Sequence, residues 1–402
     1  AHSFPTRRSS DLITITKYEL RMYAHQTSRF ACPTNALVKF NNIKYQFYKL
    51  HHYFWWTTLI SNNFIIFLPL HEGHCQKMKK IIIILLYLSF VFSGCNFLYV
   101  NPPTKISYSI SIGYLINCSG FGKHSISYIC GLPEVLSGKV SNIKSLHGNY
   151  EKVTFATNNP VYVWNFTKNN SNNYKLGISA DILAQSYIYS DISGKKCLKI
   201  QEINDKHKTI VKNYCKKLSN DSYTFIAPDD PNIKSTALKI LKKAKTNNSL
   251  LVAKKLFIWL KKNINYKLTK DFKTQEASVT YKKKAGDCDD LSFLYISLCR
   301  SIKIPARFIR GFLVEKNKVN PHSWVEIYVG CDENNGWIPV ECSGISNIPQ
   351  QEVNINFGVE KASHLRLFID DGTNKSIDLI FFFLLYSTTQ NVSIKPVIYL
   401  KI

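Results

Sequence analysis

The run Lys284-Ala285-Gly286-Asp287-Cys288-Asp289-Asp290-Leu291 sets a cysteine at the start of a helix. Leu291, Leu294, Tyr295 and Leu298 follow at helical spacing and form its apolar face, and Asp287 is a side-chain acceptor in the N-cap position. A helix N-terminus presents backbone N–H groups and about half a positive charge, which stabilise a thiolate. Asp287, Asp289 and Asp290 oppose this, because carboxylates beside a thiolate raise its pKa. The dipole alone is therefore insufficient, and a nucleophilic Cys288 needs a histidine partner with which to form an ion pair. Without such a partner, a buried cysteine is more often a small core hydrophobe, the reading adopted for Cys299 on the same helix.

His322 is a candidate partner. It opens the alternating run His322-Ser323-Trp324-Val325-Glu326-Ile327-Tyr328-Val329. In a strand this places His322, Trp324, Glu326 and Tyr328 on one face and Ser323, Val325, Ile327 and Val329 on the other. After the turn from Cys331 to Gly336, Trp337-Ile338-Pro339-Val340-Glu341 returns as a second strand. Glu341 could there orient the imidazole and stabilise imidazolium, as the third member of a triad does. A hairpin leaves the register open, so the sequence does not decide whether Glu341 faces His322.

Gly286-Asp287-Cys288, Ile304-Pro305-Ala306-Arg307 with Arg310-Gly311-Phe312, His322-Ser323-Trp324-Val325-Glu326, and Gly336-Trp337-Ile338-Pro339-Val340-Glu341 together resemble the transglutaminase-like superfamily in order and spacing. The resemblance covers roughly residues 235–345. It implies an α+β, papain-like core in which a cysteine-bearing helix packs on an antiparallel sheet, and an activity among transglutaminases, cysteine peptidases, peptide amidases and catalytically dead scaffolds. It further implies that Cys288 is the nucleophile, His322 the general base and acid, and Glu341 the orienting carboxylate, where the family usually carries Asp. Tyr266, or a nearby polar group, would supply the oxyanion site with the Cys288 backbone N–H. Neither a metal nor a cofactor is expected.

The remaining chain reads as unlike pieces. Its 402 residues allow two or three domains. Residues 1–77 hold no lasting helical or strand period, and Ser3 to Leu12 resembles a translated sequencing adapter, so this stretch is expected to be a non-native upstream extension. Met78, Lys79 and Lys80 precede an apolar run, Ile81 to Phe92, closed by Ser93-Gly94-Cys95. That pattern, over 78–95, resembles a bacterial or archaeal lipoprotein signal, although Phe92 stands where an aliphatic residue is usual. The run is too short to span roughly 30 Å of hydrocarbon, which needs about 20 residues. Lipid on Cys95 would anchor the mature chain to the membrane, outside the cytoplasm.

Residues 96–146 alternate Ser, Ile and Tyr and read as strands or a tether, and 147–230 as a small β-rich accessory region. From Ser235 the period becomes helical, with Leu238, Leu241, Leu251, Leu256, Trp259 and Leu260 marking two helices at the start of a 231–353 transglutaminase-like domain. In the C-terminal extension, 354–402, the apolar run Leu379 to Tyr386 is too short to cross a membrane and reads as a buried strand or a reading-frame error.

Charge and cysteine content narrow the partners. Lys plus Arg at 52 against Asp plus Glu at 27 gives +25, a field that favours acidic polymers and anionic headgroups. No nucleic-acid-binding motif accompanies it, so no nucleic-acid partner is expected. Eleven cysteines without C-x-x-C spacing argue against zinc; Cys118, Cys130, Cys197 and Cys215 are candidates for pairing in an oxidising exterior, whereas none is expected between Cys331 and Cys342. The resulting expectation is a surface-anchored cysteine hydrolase acting on peptide or isopeptide amides of proteins at the cell surface. The alternatives are a crosslinking transglutaminase, with a lysine amine in place of water, and a non-catalytic binding module of the same fold.

Overall fold

The computed structural model describes residues 12–14, 56–61, 64–69, 104–155, 159–215, 225–268, 274–316, 318–344, 348–370, 383–387 and 391–402. The chain divides into two compact units, Gln26–Asn101 and the remainder. Within the first, the described residues form an antiparallel hairpin of Trp56–Ser61 with Phe64–Pro69. The lipoprotein-type signal, with Cys95, lies outside the described residues, as does most of 1–77. No helix among the described residues is long and apolar enough to cross a membrane.

The larger unit includes the short strand Leu12–Thr14, and its first long strand is β1 (Lys105–Ser119), whose strict alternation buries Tyr108, Ile110, Ile112, Tyr114, Ile116 and Cys118 and leaves the intervening serines at the surface or half-buried. It continues through β2 (Lys123–Gly131), β3 (Gly138–Ser145), β4 (Glu151–Phe155), β5 (Asn159–Asn169) and β6 (Asn172–Gln185). These strands form two sheets around a shared core in which the Tyr128 and Trp164 rings stack at 5.4 Å. The stretch read as tether or strands thus supplies β1 to β3. The β-rich region ends earlier than 230, because α1 (Ile200–Lys206) and α2 (Lys208–Tyr214) follow it.

Helix α3 (Pro231–Ala244) starts where Asp230 accepts hydrogen bonds from the Asn232 and Ile233 amides, with proline at the first helical position. Helix α4 (Ser249–Asn263) is capped by the Asn248 side chain and buries Val252, Ala253, Leu256, Phe257 and Leu260. After α5 (Ala277–Lys283) comes α6 (Cys288–Ser301), in which every residue from Cys288 to Arg300 is buried. The three- and four-residue spacing of its leucines gives one apolar face, and packing on all sides by α3, α4, α5 and a sheet buries the rest.

That sheet comprises β7 (Ala306–Glu315), β8 (Lys318–Tyr328), β9 (Trp337–Val340) and, beyond α7 (Pro349–Asn356), β10 (His364–Asp370), in the order β9-β8-β7-β10 with all neighbours antiparallel. The sheet packed on α6 therefore continues past residue 353, to β10. As the alternation predicts, Val325 and Ile327 pack into the α6 core, while His322 and Trp324 stack with each other at 5.9 Å. Gly311 lies opposite His322 beside a register shift between β7 and β10, where a Cβ would meet the Leu365 carbonyl oxygen at 1.8 Å. Only glycine allows that approach.

The C-terminal extension returns to the sandwich. β11 (Phe383–Ser387) pairs with β2, and β12 (Asn391–Lys401) pairs along β1. The apolar run ending at Tyr386 is therefore a strand from Phe383 onward.

Each of the eight described cysteines is a free thiol, so the pairing considered for Cys118, Cys130, Cys197 and Cys215 is not formed. They behave as small core side chains: burial pushes the Cys130 thiol up to about 12, and Cys197 up to about 11.

Candidate active site

The start of α6 is fixed by a reciprocal cap. Asp287 Oδ1 accepts from the Asp289 and Asp290 amides at 3.1 and 3.5 Å, and Asp290 Oδ2 accepts from the Asp287 amide at 3.1 Å. Asp290 also accepts from the backbone and side-chain nitrogens of Gln275, both at 2.8 Å. Two of the three carboxylates expected to oppose a thiolate are thus committed to backbone amides and Gln275. Burial and the neighbouring Asp287 charge push the Asp290 carboxyl upward. Asp289 is different: its Oδ1 lies 3.7 Å from Cys288 Sγ and accepts from Ser323 Oγ at 2.5 Å, joining the residue after the cysteine to the residue after His322.

The Cys288 thiol is one of the groups that raise the His322 imidazole. The imidazole Nε2 lies 2.6 Å from Glu341 Oε2, which leaves Nδ1 as the ring nitrogen for sulfur. Glu341 immediately follows Val340, which pairs with Val325, so the register brings the carboxylate to His322. Its other oxygen, Oε1, accepts from the Ser343 amide at 2.7 Å and the Ser343 hydroxyl at 2.6 Å. Burial by itself would depress the imidazole; the Glu341 carboxylate and the hydrogen bonds to Cys288 and Glu341 outweigh it and raise His322 to about 10. Burial likewise works against the Glu341 charge, but the two histidines around it hold the carboxyl well below the usual range.

The second of those histidines, His364, is the residue that the sequence reading missed. Its Nε2 lies 3.0 Å from the same Glu341 Oε2, and its ring meets Trp324 edge-on at 4.8 Å. Behind them, Trp324 Nε1 donates to Glu360, and Arg366 bridges Glu360 to Glu326, which also holds Arg307. The period-two pattern His364-Leu365-Arg366-Leu367 could have suggested a strand, but nothing in its spacing joins it to His322. The His322, Glu341 and His364 ligand atoms lie within 4.8 Å of one another, a donor set that suits an ion chemically, yet they are already joined by hydrogen bonds.

Tyr266 pairs in parallel with Gly286, two residues before Cys288, and its side chain is about one-third exposed (36%). The structure thus joins His322 to Glu341 near the head of α6, and places Tyr266 on the short strand paired with the one that leads to Cys288.

A cysteine at the head of a buried helix, a histidine on an adjoining antiparallel sheet and a carboxylate on the next strand define an α+β, transglutaminase-like core with an N-terminal β-rich region. Residues 234–342 match the Transglutaminase-like superfamily. No curated protein matches the chain. Among solved structures it is similar to a cysteine protease candidate from Cytophaga hutchinsonii, at 14% identity and a TM-score of 0.45 over 73% of this chain and 92% of that one. It is also similar to the periplasmic domain of TgpA from Pseudomonas aeruginosa, at 9% identity and a TM-score of 0.29 over 60% and 88% of the two chains. Figures of this size carry no information on activity or substrate.

Proposed function

We propose that the protein is a cysteine hydrolase that cleaves peptide or isopeptide amide bonds through a thioester. The observation that carries this reading is the buried His322, joined to the Glu341 carboxylate at 2.6 Å and raised by both Glu341 and the Cys288 thiol. The imidazole takes the thiol proton, and Glu341 stabilises the resulting imidazolium. The thiolate attacks the amide carbonyl, His322 returns the proton to the departing amine, and the C–N bond breaks to leave the acyl group on sulfur. His322 then takes a proton from water as its oxygen attacks the thioester, releasing a carboxylate product and the free thiol. The Cys288 amide at the first turn of α6, with Tyr266 alongside, would stabilise the oxyanion.

Full-length protein treated with iodoacetamide near neutral pH is expected to alkylate at Cys288 at least tenfold faster than at Cys299, because burial pushes the Cys299 thiol far above its ordinary value. Equal rates, mapped by mass spectrometry, would remove the activated nucleophile and favour a binding module.

We place the enzyme at the outer face of a membrane, where its substrates would be cell-surface proteins; the support is the Met78 to Cys95 sequence alone. Expression from Met78 is expected to give a membrane-bound protein that Cys95→Ser releases or leaves unprocessed. A Met78-initiated chain recovered in the cytosol would refute the anchor.

A further inference from the structure

We infer that His364 is a positioning residue that holds Glu341 in line with His322, an inference that rests on the catalytic reading of Cys288 and His322. Glu341 Oε2 receives two imidazoles, His322 at 2.6 Å and His364 at 3.0 Å, while Oε1 receives the Ser343 amide and hydroxyl. All four donors converge on one buried carboxylate, so neither oxygen can swing away without breaking a pair of hydrogen bonds. Glutamate has one more rotatable bond than aspartate, and an unbraced side chain of that length would spend part of its time away from the imidazole. His364 removes that freedom from the side facing β10. Its own ring is held by the edge-on contact with Trp324, which Glu360 fixes through the indole nitrogen.

The geometry also sets the tautomer. A carboxylate only accepts, so both facing Nε2 atoms carry hydrogen. His322 thereby presents Nδ1 to sulfur, and His364 Nδ1 is left buried without a hydrogen-bond partner. A buried, unpartnered ring nitrogen costs free energy, and the arrangement that offsets it is the bond from Nε2 to Glu341. The charged and titratable groups around His322 are Cys288 and Asp289 from α6, Glu341 after β9 and His364 from β10, with Glu360 and Arg366 behind Trp324.

The test is the pH dependence of Cys288 alkylation by iodoacetamide in the full-length protein, which needs no knowledge of the substrate. At pH 6 the reaction reports thiolate held by imidazolium; at pH 9.5 an ordinary thiol also reacts, so the assistance matters less. His364→Leu, which fills the space without a donor, is expected to slow the pH 6 reaction roughly 10- to 100-fold, by analogy with the loss of outer-shell partners that orient metal-ligating side chains, and to change the pH 9.5 rate less than about threefold. His364→Gln places an amide N–H near the position of Nε2 and is expected to restore the pH 6 rate to within about threefold of the parent. His364→Asn, one methylene too short to reach Glu341, is expected to follow the leucine variant and serves in its place should that variant fail to fold.

A role in packing alone predicts similar behaviour for Gln and Asn, or equal losses at both pH values, and either result overturns the assignment. Parent-like reactivity of the leucine variant at pH 6 overturns it too, while leaving Cys288 and His322 as the reactive pair. If the parent itself shows only an ordinary thiol titration, the catalytic reading fails and the positioning role falls with it.

Discussion

Cys288→Ala is expected to reduce amide turnover to background, a loss on the order of 10⁵- to 10⁶-fold, as for the nucleophile of other acyl-transfer enzymes. The reason is that no nearby group can substitute. Cys299 is fully buried, with its thiol pushed upward, and Asp289 is tied to Ser323. In the alanine variant His322 has nothing to deprotonate except water, and the covalent intermediate cannot form. Hydrolysis of a panel of peptide aryl-amides measures the loss. Hydroxylamine added to the parent is expected to trap the thioester as a hydroxamate, which the variant cannot produce. Cys288→Ala removes one buried sulfur, so the melting temperature should move by only a few degrees. Residual turnover above about 1% of the parent in a folded Cys288→Ala protein would assign the chemistry to another group.

The sequence made the elements around the cysteine legible because each carries a local period. The three- and four-residue leucine spacing after Cys288 marks α6, the two-residue alternation after His322 marks β8, and Asp287 ahead of the cysteine is the cap that forms. Four motifs in fixed order then connect helix to hairpin. What remained illegible is non-local. The His322 to Glu341 contact depends on register, which a turn of uncertain geometry leaves open; here a short helical turn, Glu333–Gly336, containing left-handed Asn334 and Asn335, sets Val340 opposite Val325. His364 reaches the site only because β10 joins the far edge of the sheet beside β7, a pairing invisible to spacing. The same holds for β1 and β12, whose serine–isoleucine and mixed alternation could describe a tether as well as a strand until each finds the other. The fold also buries Arg310 and couples Arg307 to Glu326, whose carboxyl two guanidiniums hold at about 2 against the penalty of burial, pairings that no local spacing announces.

Glu341→Gln is expected to lower turnover by up to about 10⁴-fold, the size of the loss when the orienting carboxylate of a comparable triad is neutralised. The expected signature is a pH profile as well as a rate. In the parent, the alkaline limb of activity is expected near pH 10, where His322 loses the proton that it shares with Cys288. Burial is the largest opposing influence on that imidazole, so removing the carboxylate leaves only Cys288 against it, and the alkaline limb should move downward. Stability should follow with the matching sign. A histidine whose folded pKa is raised from 6.5 to about 10 contributes stability that is complete below 6.5 and lost as the pH climbs through about 10. The parent should therefore become easier to unfold in urea across that window, and the Gln variant should show a flatter dependence. Glu341→Asp retains charge but is shorter, so it is expected to keep the alkaline limb and to lose turnover less severely than Gln. The opposite ranking, with Gln active and Asp inactive, would mean that Glu341 fills space between Ser343 and the two histidines, and that the imidazolium owes its stability to another carboxylate, such as Asp289 beside Cys288.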